Sequence, residues 1–275
     1  MSKTLLSFGH GYTARALEKQ LPGWRVIGTG RDVVQGRVQW PGTDMRPYLD
    51  CATHLLISAA PGPDGDPVLL QLGAEIAARA TQLEWVGYLS TTGVYGDHRG
   101  GWVTEKTPLT PGTRRGKLRV SAEAAWQAIP DLPLHIFRLA GIYGPGRGPF
   151  AKVRSGKARR IVKPGQVFSR IHVDDIATVL KASMNRPAAG AIYNVCDNDP
   201  QPPQTVIEEA ARLLGLAPPP IEDFATADMT EMARSFYAES KRVSNARIKQ
   251  ELGVRLAYPD YQSGLLAVLA AENAR

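Results

Sequence analysis

The stretch that decides the fold is TLLSFGHGYTARAL, residues 4–17. The apolar run Thr4–Phe8 predicts a buried strand, and Tyr12–Leu21 carries apolar residues at the spacing of one helix face. Apolar runs and helical patterns then alternate along the chain, which predicts a parallel sheet with helices on both faces. The further predicted elements are strands at Trp24–Gly28, Val38–Trp40, His54–Ser58, Trp85–Leu89, Leu134–Leu139 and Ala191–Val195, and helices at Val68–Leu83, Lys117–Ile129 and from Asp174 onward.

The alternation changes after Gly141, where glycine and proline crowd the next residues and a basic block follows. We therefore predict an α/β protein, a doubly wound Rossmann-type parallel sheet with a smaller C-terminal substrate lobe. The predicted sheet domain covers residues 1–145, and residues 170–195 return to it. The predicted lobe consists of residues 146–169 and 196–275.

The composition is that of an ordinary globular protein, with 275 residues, of which 43% are hydrophobic and 21% charged. The two cysteines, Cys51 and Cys196, are too few for a disulfide framework, and no Cys/His spacing resembles a zinc site. The apolar stretch before Gly9 is too short for a secretory leader, and no apolar run is long enough to span a membrane. We expect a soluble cytoplasmic protein that needs no metal.

The charge is uneven, with 33 basic and 26 acidic residues and a formal net charge of +7. Residues 147–170 contain eight Lys/Arg and no Asp or Glu. Such a block is typical of a solvated basic face, of a site for a small anion or of a nucleic-acid surface. No aromatic interleaving accompanies these charges, so we favour a small anionic ligand over nucleic acid.

The segment Gly9-His10-Gly11-Tyr12-Thr13-Ala14 has the pattern G-x-G-x-x-A between a predicted strand and a predicted helix. The first glycine permits a tight turn, the second lets the backbone approach a pyrophosphate, and the small third residue lets the helix pack on the strand. The strand–helix–strand context is the one in which this pattern binds a dinucleotide. We predict dinucleotide contacts at Gly9, His10, Gly11, Tyr12 and Thr13.

The end of the second predicted strand indicates which dinucleotide is bound. An acidic residue there binds the adenosine ribose hydroxyls of NAD, whereas an arginine accommodates the 2′-phosphate of NADP. Arg31 lies 20 residues after Gly11, and Thr29 is a candidate second phosphate donor. Asp32 offers the NAD alternative one position later. We favour NADP, with NAD as the alternative.

Ligands of such sheets lie beyond the carboxyl ends of the strands, so the loops after the fourth and fifth strands are further candidates. We assign cofactor contacts there to Ser58, Ala59, Ala60, Pro61 and Ser90.

Four motifs resemble those of the extended short-chain dehydrogenase/reductases, the group that includes nucleotide-sugar epimerases and dehydratases. They are GHGYTA at 9–14, LSTTGVYGD at 89–97, FRLAGIYGPGR at 137–147 and SRIHVDDIA at 169–177, in the order of that family and spread over most of the chain. The resemblance implies a cleft between a Rossmann-type domain and a substrate lobe. It also implies hydride transfer at a nicotinamide.

In that family a Tyr donates or accepts the proton, a Lys four residues later holds the ribose, and a Ser or Thr polarises the carbonyl. Thr91 matches the last of these, whereas Arg115 and Arg119 stand where the Tyr and the Lys are expected. A guanidinium stays charged near neutral pH and is a poor proton donor. We therefore expect Arg115 to bind an anionic substrate and Arg119 to bond the ribose.

Another group must then supply the proton, and we assign this role to Tyr95, which follows the fifth strand. Tyr143 and His98 are alternatives, while His172 is expected to be structural. The later Y-x-x-x-K from Tyr237 to Lys241 lies in the lobe and is interpreted as coincidental.

The substrate is less well indicated. Where nucleotide-sugar enzymes of the family carry a diphosphate-binding Arg, this chain has Phe168, and the nearest basic residue is Arg170. The leading hypothesis is an NADP(H)-dependent oxidoreductase or epimerase that acts on a small anionic carbonyl or sugar compound. The alternatives are a non-catalytic NADP(H) sensor and a nucleic-acid-binding protein, and either a monomer or a homodimer fits.

Overall fold

The computed structural model describes residues 3–32 and 36–274 of the chain. Its strands are β1 (Thr4–Phe8), β2 (Arg25–Gly30), β3 (Arg37–Gln39), β4 (His54–Ile57), β5 (Trp85–Thr91), β6 (Trp102–Val103), β7 (Leu134–Leu139), β8 (Gly141–Tyr143), β9 (Arg160–Val162), β10 (Arg170–His172), β11 (Ile192–Val195), β12 (Ile221–Asp223) and β13 (Arg242–Val243).

The α-helices of the same residues are α1 (Tyr12–Glu18), α2 (Arg46–Asp50), α3 (Pro67–Ala78), α4 (Arg114–Gln127), α5 (Phe150–Arg154), α6 (Val173–Asn185), α7 (Pro203–Leu213), α8 (Glu231–Ser235), α9 (Ala246–Leu252) and α10 (Tyr261–Asn273).

The central sheet has seven strands in the order β11-β7-β5-β4-β1-β2-β3, and every neighbouring pair is parallel. Helices α1, α6 and α9 cover one face, and α3 and α4 cover the other. The chain leaves β1 toward β2 on one side and returns to β4 on the other, so the strand order reverses between β1 and β4. A ligand of a doubly wound sheet binds at this reversal, beyond the carboxyl ends of the strands.

Burial on both faces explains why the strands read as continuous apolar runs rather than alternating ones. Leu55 and Leu56, adjacent in β4, are both fully buried, but they belong to the two different apolar layers on opposite faces of the sheet. The predicted α/β sheet is confirmed, including the return of β11 to pair with β7.

The boundaries differ from the sequence-based ones by a few residues. Helix α1 ends at Glu18 rather than Leu21, because the backbone tightens into a turn before Pro22-Gly23. Helix α4 begins at Arg114 rather than Lys117, because the Thr113 side chain caps it by accepting from the Gly116 amide. The short helix α2 was not predicted, since five residues give no helical periodicity to detect.

The C-terminal part has its own apolar layer, in which Phe150 of α5, Ala210 and Ala211 of α7, and Leu265 and Val268 of α10 pack together. Two short parallel ladders, β8–β10 and β6–β13, connect the later segments to the loops after β7 and β5, and a third, β9–β12, lies within the C-terminal part. Among the described residues, no helix is both long and apolar enough to cross a membrane.

A buried ion pair lies under the carboxyl ends of β5 and β7. The Arg138 guanidinium donates to the Glu123 carboxylate at 2.7 Å, and both side chains are at most 4% exposed. Ser90 also donates to Glu123, and Arg138 donates to the Tyr95 hydroxyl at 3.0 Å. These hydrogen bonds hold β5, α4 and β7 together.

We expect Glu123→Ala to lower the free energy of unfolding by about 3–5 kcal/mol, because it leaves the Arg138 charge buried without its counter-ion. Urea unfolding measures the loss. The control is Asp50→Ala, which breaks a pair with Arg79 in which the carboxylate is 59% exposed. That loss should stay below about 1 kcal/mol. Equal losses in the two variants would contradict the structural role given to the buried pair.

Candidate functional site

The glycine loop lies at the reversal between β1 and β4. Gly9 has φ +75°, and a Cβ at this position would lie 2.9 Å from the amide nitrogen of Ala59. The amides of Ser58 and Ala59 both donate to the Phe8 carbonyl, at 2.9 and 3.1 Å. The loops after β1 and β4 are therefore in direct contact. Only glycine fits the first position of the motif, both for its φ and for this contact.

Thr29 holds the loop from the other side. It is fully buried, its hydroxyl accepts from the Gly9 amide at 3.1 Å, and its carbonyl accepts from the His10 amide at 2.8 Å. The prediction that Thr29 donates to a phosphate is therefore corrected, because the side chain lies inside the protein. Thr29 instead shapes the loop.

The remaining loop residues differ in exposure. Gly11 and Tyr12 are half-buried, and Gly11 takes the N-cap position of α1 without a side-chain cap, while Thr13 is buried. His10 is 5% exposed, and its Nε2 lies 3.0 Å from the Glu18 carboxylate. Burial lowers the pKa of His10, and the Glu18 hydrogen bond opposes this effect. Any contact of His10 with a dinucleotide stays a prediction.

The loop after β4 presents backbone at the same edge. Ser58, Ala59 and Pro61 are half-buried, and Ala60 is exposed. The close packing of Gly9 on Ala59 places these residues beside the glycine loop. Their contacts with a cofactor stay predictions.

The two predicted site residues at the end of β5, Ser90 and Thr91, differ in how far they are buried. Thr91 is half-buried at the last position of the strand, and its hydroxyl oxygen accepts from the Gly93 amide at 3.2 Å. The hydroxyl hydrogen of Thr91 can still be donated to a ligand. Ser90 is buried and donates to Glu123, so its side chain belongs to the core.

Tyr95 is fully buried, and this corrects its assignment as proton donor. Its hydroxyl donates to the Asn194 amide oxygen at 2.6 Å and accepts from Arg138 at 3.0 Å. Burial raises the pKa of Tyr95, although Arg138 partly offsets the effect. The Tyr95 hydroxyl ties the short 3₁₀ turn after β5 to β7 and β11. The buried phenol is not open to a substrate.

The two arginines of α4 occupy different environments. Arg119 is buried, and its guanidinium donates to the Leu89 carbonyl and to the Tyr88 hydroxyl. These contacts join α4 to β5, and a ribose contact from Arg119 stays a prediction. Arg115 is exposed in the first turn of α4, where a Cβ on the next residue, Gly116, would lie 2.7 Å from the Gly93 carbonyl. Close packing therefore brings this end of α4 to the loop after β5.

Of the two alternative proton donors, one is buried and the other half-buried. Tyr143 is buried, its hydroxyl contacts the Asp260 carbonyl at 3.4 Å, and burial raises its pKa. The His98 ring lies 3.1 Å from the Tyr95 carbonyl. His172 is buried and caps α6 by accepting from the Asp174 amide, in agreement with a structural role.

The lobe motif from Tyr237 to Lys241 is divided between two places. The Tyr237 ring packs on Phe224 and Phe168, with centroids 5.2 and 6.3 Å away. The Lys241 ammonium is buried and donates to the Gly96 carbonyl at 2.6 Å. These contacts support the interpretation that the Y-x-x-x-K spacing is coincidental.

Three of the eight basic residues in the block of residues 147–170 pair with acidic residues from other segments, a feature that the local sequence could not show. Arg170 donates to the backbone carbonyls of Phe168 and Gln201, each at 3.0 Å. The Arg147 guanidinium lies over the Tyr12 ring, 5.9 Å from its centroid, and the Tyr12 hydroxyl donates to the Pro145 carbonyl. The ion pairs are Arg154–Glu272, Arg159–Glu222 and Arg160–Glu208.

Arg31 and Asp32 follow the end of β2, and both are exposed. Neither side chain has a hydrogen bond or an ion pair within residues 3–32 and 36–274. The structure therefore leaves open which of them meets the adenosine ribose. Metal-binding clusters of three or more His, Cys, Asp or Glu side chains do not occur in this described part of the chain.

Comparisons with known proteins place the chain in a family. A functionally unknown conserved protein from Silicibacter pomeroyi DSS is 63% identical, with a TM-score of 0.95, covering 98% of this chain and 99% of that one. The chain belongs to the same family as this protein. Protein YeeZ from Escherichia coli K12 is 29% identical over 94% of this chain and 97% of its own length. No family model matches.

The fold is that of the extended short-chain dehydrogenase/reductases, as the motifs predicted. A protein from Methylobacillus flagellatus assigned to the NAD-dependent epimerase/dehydratases is 26% identical, with a TM-score of 0.67 and 99% coverage of both chains. Human epimerase family protein SDR39U1 with NADPH and MoeE5 with UDP-glucuronic acid and NAD are each 17% identical, with TM-scores of 0.77 and 0.82, and cover at least 98% of both chains.

We expect Gly9→Ala to weaken nicotinamide dinucleotide binding at least about tenfold, because the added Cβ pushes the loop away from Ala59 and strains φ by roughly 1–3 kcal/mol. Fluorescence titration with NADPH measures the change. Gly23→Ala is the control, since Gly23 has φ +80° but nothing within 4 Å of an added Cβ. It should lower stability by about 1–2 kcal/mol and leave binding unchanged. Unchanged binding in Gly9→Ala would contradict the placement of the cofactor.

Proposed function

We propose that the chain is an NADP(H)-dependent oxidoreductase or epimerase-type enzyme that acts on a small anionic carbonyl or sugar compound. The observation that carries the proposal is the glycine loop, whose first residue packs on Ala59 at the strand-order reversal and whose Gly11 takes the N-cap position of α1. A G-x-G-x-x-A loop at this place in the sheet is the one whose backbone a dinucleotide pyrophosphate approaches. The nicotinamide cofactors printed for SDR39U1 and MoeE5 support the same use of the fold.

We favour NADP over NAD because the positive charge of Arg31 suits the negative charge of the 2′-phosphate. Arg31 directly follows β2, where a 2′-phosphate lies in dinucleotide-binding sheets. Asp32 is the residue that would favour NAD, because a carboxylate accepts hydrogen bonds from ribose hydroxyls and repels a phosphate. SDR39U1, whose structure contains NADPH, supports the NADP choice, whereas MoeE5 contains NAD.

We assign the substrate contacts to two side chains that are not buried, Thr91 at the end of β5 and Arg115 at the start of α4. The cofactor supplies or accepts a hydride when bound. Thr91 donates its hydroxyl hydrogen to the carbonyl oxygen of the substrate, and Arg115 binds an anionic group. Phe168 packs against Tyr237 where a diphosphate-binding arginine stands in nucleotide-sugar enzymes, which favours a smaller anion than a nucleotide sugar.

One observation favours a second candidate, a non-catalytic NADP(H) sensor. Helix α4 has no tyrosine, and the tyrosines on either side of it in sequence, Tyr95 and Tyr143, are both buried. A sensor needs the cofactor site but no proton donor. It would bind NADPH without turnover and change its shape or its association on binding.

The first experiment is a parallel titration of NADPH and NADH, read by energy transfer from tryptophan to the reduced nicotinamide. We expect NADPH to bind at least about tenfold more tightly than NADH, since a charge-assisted phosphate contact is worth roughly 1.5–3 kcal/mol. Arg31→Ala should reduce this preference. Equal affinities would point to NAD and Asp32, and binding of neither would refute the proposed function.

A second experiment separates enzyme from sensor on a panel of small carboxylate- and phosphate-bearing carbonyl compounds. We expect Thr91→Ala to lower kcat about 10- to 100-fold, because it removes a hydrogen bond to the developing oxyanion. Arg115→Ala should mainly raise KM. Its matched control is Arg114→Ala, an equally exposed neighbour on the same helix turn. Tight NADPH binding without turnover of any compound would favour the sensor.

A further inference from the structure

The middle residue of the glycine loop, His10, is a buried imidazole. Its ring lies over Gly28 of β2, where an added Cβ would be 2.5 Å from Cγ of the ring. The backbone amide of His10 donates to the Thr29 carbonyl at 2.8 Å, and the residue is only 5% exposed. The absence of a side chain at Gly28 therefore makes room for an ionisable group inside the loop, at the edge of the sheet where a dinucleotide binds.

The two ring nitrogens of His10 have different surroundings. Nε2 lies 3.0 Å from the Glu18 carboxylate at the other end of α1. Because a carboxylate accepts hydrogen bonds and cannot donate them, Nε2 carries a hydrogen. Nδ1 is buried and has no hydrogen-bond partner among the residues that the structure describes. A proton on Nδ1 would therefore create a buried donor that lacks an acceptor in this chain.

Charged groups from two elements act on the His10 ring. Burial lowers the pKa of His10 most, Glu18 of α1 raises it, and Arg37 of β3 and Arg15 of α1 lower it. The strand between them, β2, places a glycine under the ring, and Asp32 beyond its end is exposed. The free protein therefore keeps the ring neutral at neutral pH, although one carboxylate is already placed to stabilise a positive charge.

We infer that His10 is a cofactor-binding residue that acts as an imidazolium, supported by Glu18, so that the dinucleotide and a proton bind together. The inference rests on the proposed function, because it assumes that the phosphates lie against the glycine loop. Phosphates add negative charge beside the buried ring and oppose the repulsion from the two arginines. Attraction between the phosphates and the imidazolium favours the protonated ring.

Cofactor affinity should then depend on pH. Nearby negative charge favours the protonated imidazole, so the pKa of His10 is higher in the complex than in the free protein. Affinity is highest in acid and falls as the pH rises from the pKa of the free protein to that of the complex. The fall is at most about tenfold per pH unit. Above both pKa values the proton no longer contributes.

The test measures protons rather than turnover. NADP⁺ is titrated calorimetrically into the full chain at about pH 6.5 in buffers of different ionisation enthalpy, and the heat gives the number of protons taken up. We expect the wild type to take up as much as about one proton more than His10→Gln, whose amide can still donate to Glu18 but does not titrate. The 2′-phosphate of the ligand titrates at a pKa of about 6, and subtracting the variant cancels its contribution.

A similar histidine–carboxylate pair lies at the opposite edge of the sheet and supplies a matched control. His54, 1% exposed at the start of β4, has its Nε2 4.0 Å from the half-exposed Glu84. Glu18→Gln should reduce proton uptake, because the imidazolium loses its counter-charge, whereas Glu84→Gln should leave it unchanged. Thermal unfolding checks each variant, and His10→Asn replaces His10→Gln if the latter does not fold.

The outcomes distinguish this inference from the proposed function. Tight NADP⁺ binding with the same proton uptake in the wild type and in His10→Gln overturns the role of His10 and leaves the proposed function standing. Equal uptake in Glu18→Gln and Glu84→Gln overturns the support from Glu18. A wild type that binds neither NADP⁺ nor NADPH overturns the proposed function itself.

Discussion

The backbone of Gly9 and the amide of Ala59 approach each other so closely that no side chain fits between them, and the candidate site depends on this contact. It occurs because β1 and β4 end side by side where the strand order reverses, and because both Ser58 and Ala59 donate to the Phe8 carbonyl. Thr29 fixes the same loop from β2 through its hydroxyl and carbonyl. The loop is therefore shaped by the sheet before any ligand arrives, and a ligand need not supply energy to order it.

The space under β5 and β7 is filled by a polar network rather than by apolar side chains. Arg138 and Glu123 are paired there, and Ser90, Tyr95 and Asn194 complete their hydrogen bonds. Buried charges are tolerated only when such partners are present. This network holds the side chains of Ser90 and Tyr95 inside the protein, whereas Thr91 is half-buried and Arg115 is exposed.

The lobe and the sheet are joined where the cofactor is expected to lie. The Tyr12 hydroxyl donates to the Pro145 carbonyl, a Cβ on Gly144 would lie 2.5 Å from that hydroxyl, and Arg147 covers the same ring. The glycine loop helix is thus in contact with the loop after β8. Three further basic residues of the block, Arg154, Arg159 and Arg160, are paired with acidic residues from other segments.

The sequence by itself determined the sheet, the glycine loop and the family. Apolar periodicity and G-x-G-x-x-A are local patterns, and strands buried on both faces leave an unmistakable run such as HLLI in β4. Helix ends were predicted less well, because caps such as Thr113 act through single side chains. Only the tertiary structure decided which polar residues are inside the protein. Tyr95, Thr29 and Arg119 have the residue types of a functional site, but their partners come from distant segments, and burial depends on those segments.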